Sequence, residues 1–221
     1  MRGLMKFFYY SIRKDAALVF ACLLALAVVT LVTGSNQLYG LVLMFGVGGL
    51  PFVVLAKMGT TEYGIWERFQ LTMPIKRRQL VVSQYLFVVA LAVVGMLYVS
   101  IVSALGLYLR PDMINMGGLD GLGDLLIMSL NWAGIPLTMG GVLFLGGSTQ
   151  LGEKAPSLLF FIGFAVAYII NYLAEWMSNN WVWAIATFPV IAFPLMGFGA
   201  AVVLFVGSYF ITARLYEKMD F

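Results

Sequence analysis

The residues that could take part in chemistry are concentrated in one segment, Glu62 to Tyr85, which reads EYGIWERFQLTMPIKRRQLVVSQY. It is the longest polar interruption in an otherwise apolar chain, and it places acids, bases and an indole within a few residues of one another. Nothing in the chain resembles a nucleophile with a base, or a carboxylate pair facing a pocket. The segment is therefore suited to contact and recognition rather than to making or breaking bonds.

Several classes of chemistry are excluded by residue types that the sequence lacks. The chain has no histidine, which removes zinc-protease sites, haem ligation and histidine general bases. Its one cysteine, Cys22, cannot form an intrachain disulfide or build a metal site. No GxxxxGK[ST] phosphate-binding loop is present. We therefore expect no catalytic residue, no metal site and no cofactor in this chain.

The composition predicts a membrane protein. Hydrophobic residues make up 62% of the chain and charged residues 10%, whereas an ordinary soluble domain is about a quarter charged. A soluble fold of 221 residues could not hide this much apolar surface. We predict an all-α integral membrane protein whose residues 1–221 form a single transmembrane domain.

Six apolar runs are long enough to cross a bilayer, which needs about 20 residues in a helix. They lie at about 16–34, 38–57, 80–109, 124–148, 157–177 and 187–211. The third is longer than a membrane requires and is expected to tilt or to continue the segment before it. Glycine and proline within several spans predict close helix packing, with kinks or breaks. The sequence therefore predicts six spans.

The distribution of lysine and arginine predicts the orientation of these spans. With an inner amino terminus, twelve of the thirteen basic residues lie on the inner side, and only Arg110 lies outside, among Asp112, Asp120 and Asp124. This predicts that both termini are cytoplasmic. The first span also has the basic flank of a signal peptide, but it is longer than a typical signal core and lacks a clear small-x-small cleavage site.

Residues 62–73 are predicted to form an amphipathic helix on the cytoplasmic surface. At 3.6 residues per turn, Ile65, Trp66 and Phe69 share one face, with Thr72 and Met73. An indole at this position favours the interface plane. The residue before a proline avoids the helical region, so the helix is expected to end before Pro74. Amphipathicity alone favours lipid anchoring and partner docking equally.

Two stretches resemble a known family. Residues 71–77, read LTMPIKR, and 80–83, read LVVS, are similar to the segment after the second span of ABC-2 type ATP-binding-cassette exporter permeases. Within that family the likeness is to short bacterial six-span permeases associated with peptide export. Gly152-Glu153-Lys154-Ala155, between the fourth and fifth predicted spans, is a second match. The chain departs from the family pattern at Lys76, Gln84 and Pro156.

The resemblance implies that residues 62–73 form a coupling helix, which docks a separate ATPase subunit. Residues expected to make this docking contact come from both matching regions: Glu62, Trp66, Glu67, Arg68, Leu71, Glu153 and Lys154. ATP and magnesium would be bound by the ATPase subunit. A second permease chain, identical or paralogous, would complete the translocation path.

From these observations we expect the permease subunit of an exporter in a bacterial plasma membrane. No ionisable residue falls at mid-span, which disfavours ion-coupled transport. The aromatic content suggests an apolar path, suited to amphipathic peptide or other hydrophobic cargo. The basic residues are explained by topology, so we expect no nucleic-acid partner. Two alternatives are a six-span substrate-binding component of a vitamin importer and a membrane immunity or structural protein that transports nothing.

Overall fold

A computed structural model describes residues 2–58, 77–109, 122–147, 161–163, 165–170, 172–173 and 192–218. Secondary structure in these residues is α-helical, with no strand among them, which confirms the all-α prediction. Five helices have defined bounds: α1 (Arg2–Thr33), α2 (Asn36–Met58), α3 (Arg77–Leu109), α4 (Leu122–Gly147) and α5 (Ala192–Lys218). Between α4 and α5, residues 161–163, 165–170 and 172–173 are also helical; we call them the 161–173 segment.

Helices α1 and α2 form a hairpin with a connection of two residues, Gly34 and Ser35. Gly34 has a φ of 66°, and its N–H donates to the carbonyl of Thr30 at 2.9 Å. A left-handed glycine just after the last helical residue ends a helix by satisfying a free carbonyl. The N–H of Tyr39 then donates to the carbonyl of Ser35 at 3.0 Å and begins α2.

Helices α2 and α3 cross at two glycines. A Cβ atom placed on Gly95 would lie 2.5 Å from the carbonyl oxygen of Gly46, so the two backbones are nearly in contact there. A Cβ on Gly46 would lie 2.5 Å from Cγ2 of Val99. Towards the start of α2, the Tyr39 hydroxyl lies 2.6 Å from Oγ of Ser103, which fixes an antiparallel register. Small residues allow this approach between membrane helices.

Helices α4 and α5 are parallel, which constrains the chain between them. Gly134 faces Ala201, and Gly141, further along α4, faces Ser208, further along α5. The chain between Gly147 and Ala192 must therefore return along the bundle before α5 begins. The 161–173 segment lies in this part of the chain and packs on α4, because a Cβ on Gly163 would lie 3.3 Å from Cα of Met139.

Two clusters of buried side chains form the core. The larger takes residues from all five helices and from the 161–173 segment, including Ile12, Leu55, Val81, Phe144 and Phe205. The smaller joins α1, α2 and α3 with one turn of α4. Many large apolar side chains on α1, α3 and α5 face outward. Such a surface is expected where lipid is the solvent.

Each predicted span has an apolar helical counterpart. Ile12–Thr33, Arg78–Leu109 and Leu195–Glu217 are long and apolar enough to cross a membrane. Gln37–Val53, Trp132–Leu145 and Phe161–Ile170 are shorter apolar helices. This is a multi-pass membrane protein, whereas the count of six spans, their orientation and the single domain of residues 1–221 remain predictions. The predicted coupling helix, 62–73, lies outside the described residues.

The glycine and proline clusters, where the sequence predicts close packing with kinks or breaks, do not interrupt α2 or α4, which are helical through Pro51 and Pro136. Neighbouring helices can satisfy the backbone groups that a proline frees. Helix α1 begins at Arg2, well before the predicted span at 16–34, because a helix can continue through polar residues after the apolar run has ended.

Candidate functional site

The residues predicted to dock an ATPase lie outside the described part of the chain. This applies to Glu62, Trp66, Glu67, Arg68 and Leu71, and to Glu153 and Lys154 as well. The helices on either side of both stretches are described. They show where residues 59–76 and 148–160 are attached to the bundle.

Three helix ends that flank these stretches meet in one cluster. Leu55 lies near the end of α2, Leu80 near the start of α3 and Phe144 near the end of α4, and all three belong to the larger buried cluster. We call this side of the bundle, marked by Leu55, Leu80 and Phe144, the loop end. Both stretches with predicted docking residues therefore leave the bundle at the loop end.

The first turns of α3 pack beside the last described turns of α2 at the loop end. Leu80 and Val81 of α3 lie in the same buried cluster as Leu55 of α2. The described part of α3 begins at Arg77. Residues 59–76 join the chain to these first turns of α3.

The first turns of α3 are hydrogen-bonded to α5 through Tyr85. The Tyr85 hydroxyl lies 3.0 Å from Oγ of Ser208 and 3.3 Å from Oγ1 of Thr212. Its ring centroid lies 4.5 Å from that of Phe144 and 4.7 Å from that of Phe205. Tyr85 is buried, so its ring and its hydroxyl are both satisfied inside the bundle.

The direction of these hydrogen bonds follows from the number of protons available. Ser208 donates its one hydroxyl proton to the carbonyl of Phe205 at 2.7 Å. Tyr85 must then donate to Ser208, and Thr212 must donate to Tyr85. We call the chain of Thr212, Tyr85, Ser208 and the Phe205 carbonyl the Tyr85 network. Each member has a partner, as a buried polar network requires.

A charged contact lies beside the Tyr85 network, towards solvent. Arg78 lies close to the hydroxyl of Tyr209 on α5 and within range of the charge on Glu217. Arg78 and Glu217 are both exposed, so the pair adds little stability. It does place charges from the first turn of α3 and the last turns of α5 at the same point of the loop end.

Two further tyrosines, Tyr98 and Tyr39, join α3 to α1 and α2, the two helices of the hairpin. The Tyr98 hydroxyl donates to the carbonyl of Leu23 in α1 at 2.6 Å. The Tyr39–Ser103 hydrogen bond joins α3 to α2 at 2.6 Å. With the Tyr85 network, α3 is hydrogen-bonded through side chains to α1, α2 and α5. Helix α3 is therefore the common partner in this part of the bundle.

Polar residues within the predicted spans make two kinds of contact. Ser103 and Ser208 hydrogen-bond tyrosines of other helices. Thr30, Ser100 and Thr138 instead donate to carbonyls of their own helices. A serine or threonine in a helix can bond the carbonyl four residues earlier without a neighbour. The side chains of Asn131 and Asn171 lie outside the described residues.

The interhelical hydrogen bonds of the tyrosines were not predicted, although the position of Tyr98 in the sequence indicates one. Tyrosine in membrane proteins favours the interface, where its hydroxyl meets water. Tyr98 stands in the middle of the third predicted span, far from either interface. A tyrosine at that depth must find a partner for its hydroxyl inside the protein, which predicts an interhelical hydrogen bond.

The described residues offer no arrangement for binding a metal. No group of three or more histidine, cysteine, aspartate or glutamate side chains comes together among them. Cys22, the single cysteine, is exposed on α1. What the described part of the chain provides is a packed helical bundle, to which residues 59–76 and 148–160 are joined at the loop end.

Comparison with known proteins gives one match. The protein-family model described as "ABC-2 family transporter protein" matches residues 3–217. The match therefore covers nearly the whole chain, including both stretches at the loop end. No curated protein and no solved structure matches the chain.

Proposed function

Because the chain belongs to the ABC-2 transporter family, we propose that it is the membrane-spanning permease subunit of an ATP-driven exporter. The observation that supports the proposal most directly is the family match over residues 3–217. The proposed partners are a separate ATPase subunit, which binds ATP and magnesium, and a second permease chain. The family membership favours this function over a vitamin-capture component or an immunity protein.

The proposed coupling site is the loop end of the bundle. We propose that residues 62–73 form a coupling helix that seats on the ATPase subunit, with Glu153 and Lys154 as a second contact. The convergence of α2, α3 and α4 at the loop end supports this, since one docking surface could then touch both stretches. ATP binding would close the two ATPase subunits and move the coupling helix with them.

The proposed cargo is an amphipathic peptide or another hydrophobic molecule. The absence of charged residues in two of the spans supports this choice. No acidic or basic residue falls between Ala16 and Thr33 or between Leu80 and Leu109. A path lined by such helices would bind ions and sugars poorly. The proposed location is the plasma membrane of a bacterium.

A charge-reversal variant tests the docking assignment. Glu67→Lys combined with Arg68→Glu keeps the net charge but reverses each local contact. We expect a loss of cargo-stimulated ATP hydrolysis of about tenfold or more, because truncating or reversing charged interface pairs costs about 2–5 kcal/mol. Hydrolysis is measured with the purified complex in proteoliposomes.

A matched swap on the predicted outer side controls for general effects of charge. Arg110→Glu with Asp112→Lys also keeps the net charge, and we expect normal ATP hydrolysis from it. Membrane insertion should be normal for both variants. Unchanged hydrolysis in the Glu67/Arg68 variant would remove the coupling assignment.

A further inference from the structure

The start of α3 packs in the larger buried cluster and is joined to α5 by side-chain hydrogen bonds. These bonds use the hydroxyls of Ser208 and Thr212, and the rings of Phe205 and Tyr209 pack against Tyr85 beside them. A displacement that enters α3 at Arg77 would reach α5 through these contacts.

Helix α5 is in turn packed tightly on α4. A Cβ on Gly141 would lie 2.9 Å from Oγ of Ser208, the same hydroxyl that accepts from Tyr85. The ring of Phe144 on α4 also stacks near Tyr85, with centroids 4.5 Å apart. Three helices thus meet around one tyrosine, and Ser208 lies close against the backbone of α4 at Gly141.

We propose that the Tyr85 network is the link that transmits movement of residues 59–76 to the α4–α5 pair. This inference rests on the proposed function, since it concerns how the coupling site acts on the path. Tyr85 is a positioning residue in this role: it touches neither the ATPase nor the cargo. Its hydroxyl fixes the start of α3 to α5, so that the two move as one body.

Distance measurements between spin labels test this directly. In a Cys22→Ser background, Gln79→Cys on α3 is paired with Phe210→Cys on α5 in one sample and with Ala17→Cys on α1 in another. All three labelled positions are exposed. The complex with its ATPase subunit is placed in lipid nanodiscs, with and without a non-hydrolysable ATP analogue and magnesium.

In the otherwise unchanged chain, we expect the analogue to alter the α3–α1 distance and to leave the α3–α5 distance as it was. In Tyr85→Phe we expect the α3–α5 distance to change and its distribution to broaden. Stimulation of ATP hydrolysis by an amphipathic leucine–lysine peptide should fall about three- to fivefold, the factor that one lost hydrogen bond gives in a two-state equilibrium.

Two further variants separate transmission from simple loss of stability. Thr212→Val keeps the side-chain shape and removes one donor of the network, so it should show a smaller form of the same distance change. Tyr39→Phe is the matched control, because it also removes a buried tyrosine hydroxyl from α2–α3 packing but far from the loop end. It should keep the distance response of the unchanged chain.

The outcomes distinguish this inference from the proposed function. An α3–α5 distance that changes as much as the α3–α1 distance in the unchanged chain would overturn the link while leaving the coupling site in place. A Tyr85→Phe variant with the response of the unchanged chain would overturn it too. No distance change in either pair would overturn both the link and the coupling assignment.

Discussion

At Gly95 the backbones of α2 and α3 are too close to admit a side chain. A Cβ atom there would lie 2.5 Å from the carbonyl oxygen of Gly46 and 2.9 Å from Cα of Val47. Both obstacles are backbone atoms, which cannot rotate away as a side chain can. The helices would have to separate, and the Tyr39–Ser103 hydrogen bond across the same interface would lengthen with them.

We therefore expect Gly95→Ala to destabilise the protein by about 1–3 kcal/mol, the usual cost of overpacking a filled interior. The apparent melting temperature in detergent measures this. Gly48→Ala is the matched control: Gly48 lies on α2 two residues from Gly46, but a Cβ there meets nothing within 4 Å. It should be neutral or stabilising, and equal losses from both variants would contradict the packing argument.

Sequence alone could not separate these glycines. Gly46, Gly48 and Gly49 are close together in an apolar span, and all three are compatible with close packing. A helix that is apolar all round carries no face signal in its pattern. Gly46 faces the neighbouring helix α3 and Gly48 does not, and the position of α3 cannot be deduced from the sequence of α2. For the same reason, the hydrogen-bond partners of Tyr39 and Tyr85 could not be predicted.

Helix α3 is the element that joins the predicted docking segment to the rest of the bundle. It runs for 33 residues without interruption from Arg77 to Leu109. Among the described side chains of α3, burial begins at Leu80, since Arg78 and Gln79 are exposed. We therefore expect the rotational phase of the first turn of α3 to set the direction in which residues 59–76 leave the bundle.

A single alanine inserted after Gln79 tests this phase. The insertion leaves the packing from Leu80 onward unchanged but rotates everything before it by about 100°, and shifts it by about 1.5 Å. We expect the membrane domain to fold normally and ATP stimulation to be lost. Hydrolysis by the complex and thermal stability are measured together.

An alanine inserted after Met113, between α3 and α4, serves as the control. This stretch is on the predicted outer side and carries no predicted docking residue, so we expect stimulation to be retained. Normal stimulation after the Gln79 insertion would mean that residues 59–76 act independently of the phase of α3.

At the scale of elements, apolar runs predicted the helices well and their ends less well. The predicted spans 38–57, 80–109 and 124–148 agree with α2, α3 and α4 to within a few residues. The start of α1 differs because hydropathy marks where lipid contact is favourable, not where backbone hydrogen bonding stops. Helix formation continues through Arg13 and Lys14, which are good helix formers.

For the whole molecule, the six-span topology makes a prediction that chemical labelling can check. In a Cys22→Ser background, Asp112→Cys lies on the predicted outer side, whereas Glu217→Cys is exposed in the last turns of α5 on the predicted inner side. A membrane-impermeant maleimide should label the first in intact cells and the second only after permeabilisation. Labelling of Glu217→Cys in intact cells would reverse the orientation.

The whole-molecule arrangement was the part least accessible to sequence reasoning. Span order and the excess of inner basic residues predicted a topology, but not that α4 and α5 would be parallel neighbours. Contacts between residues far apart in the chain leave no periodic trace in the sequence. The predicted docking residues in 62–71 and at Glu153 and Lys154 remain predictions, because only the helices on either side of them are described.

The parallel pairing of α4 and α5 also bears on how the protein is made. When α4 enters the membrane, Ala201 and Ser208, which cover its glycine face, have not been synthesised. The glycine face of α4 is therefore exposed to lipid until the 161–173 segment has crossed back and α5 has been synthesised. During this interval the nascent protein is an incomplete bundle with an uncovered glycine groove, and membrane proteases act on such intermediates. A chain truncated before Ala192 would remain in that state permanently, and its cellular lifetime should be short.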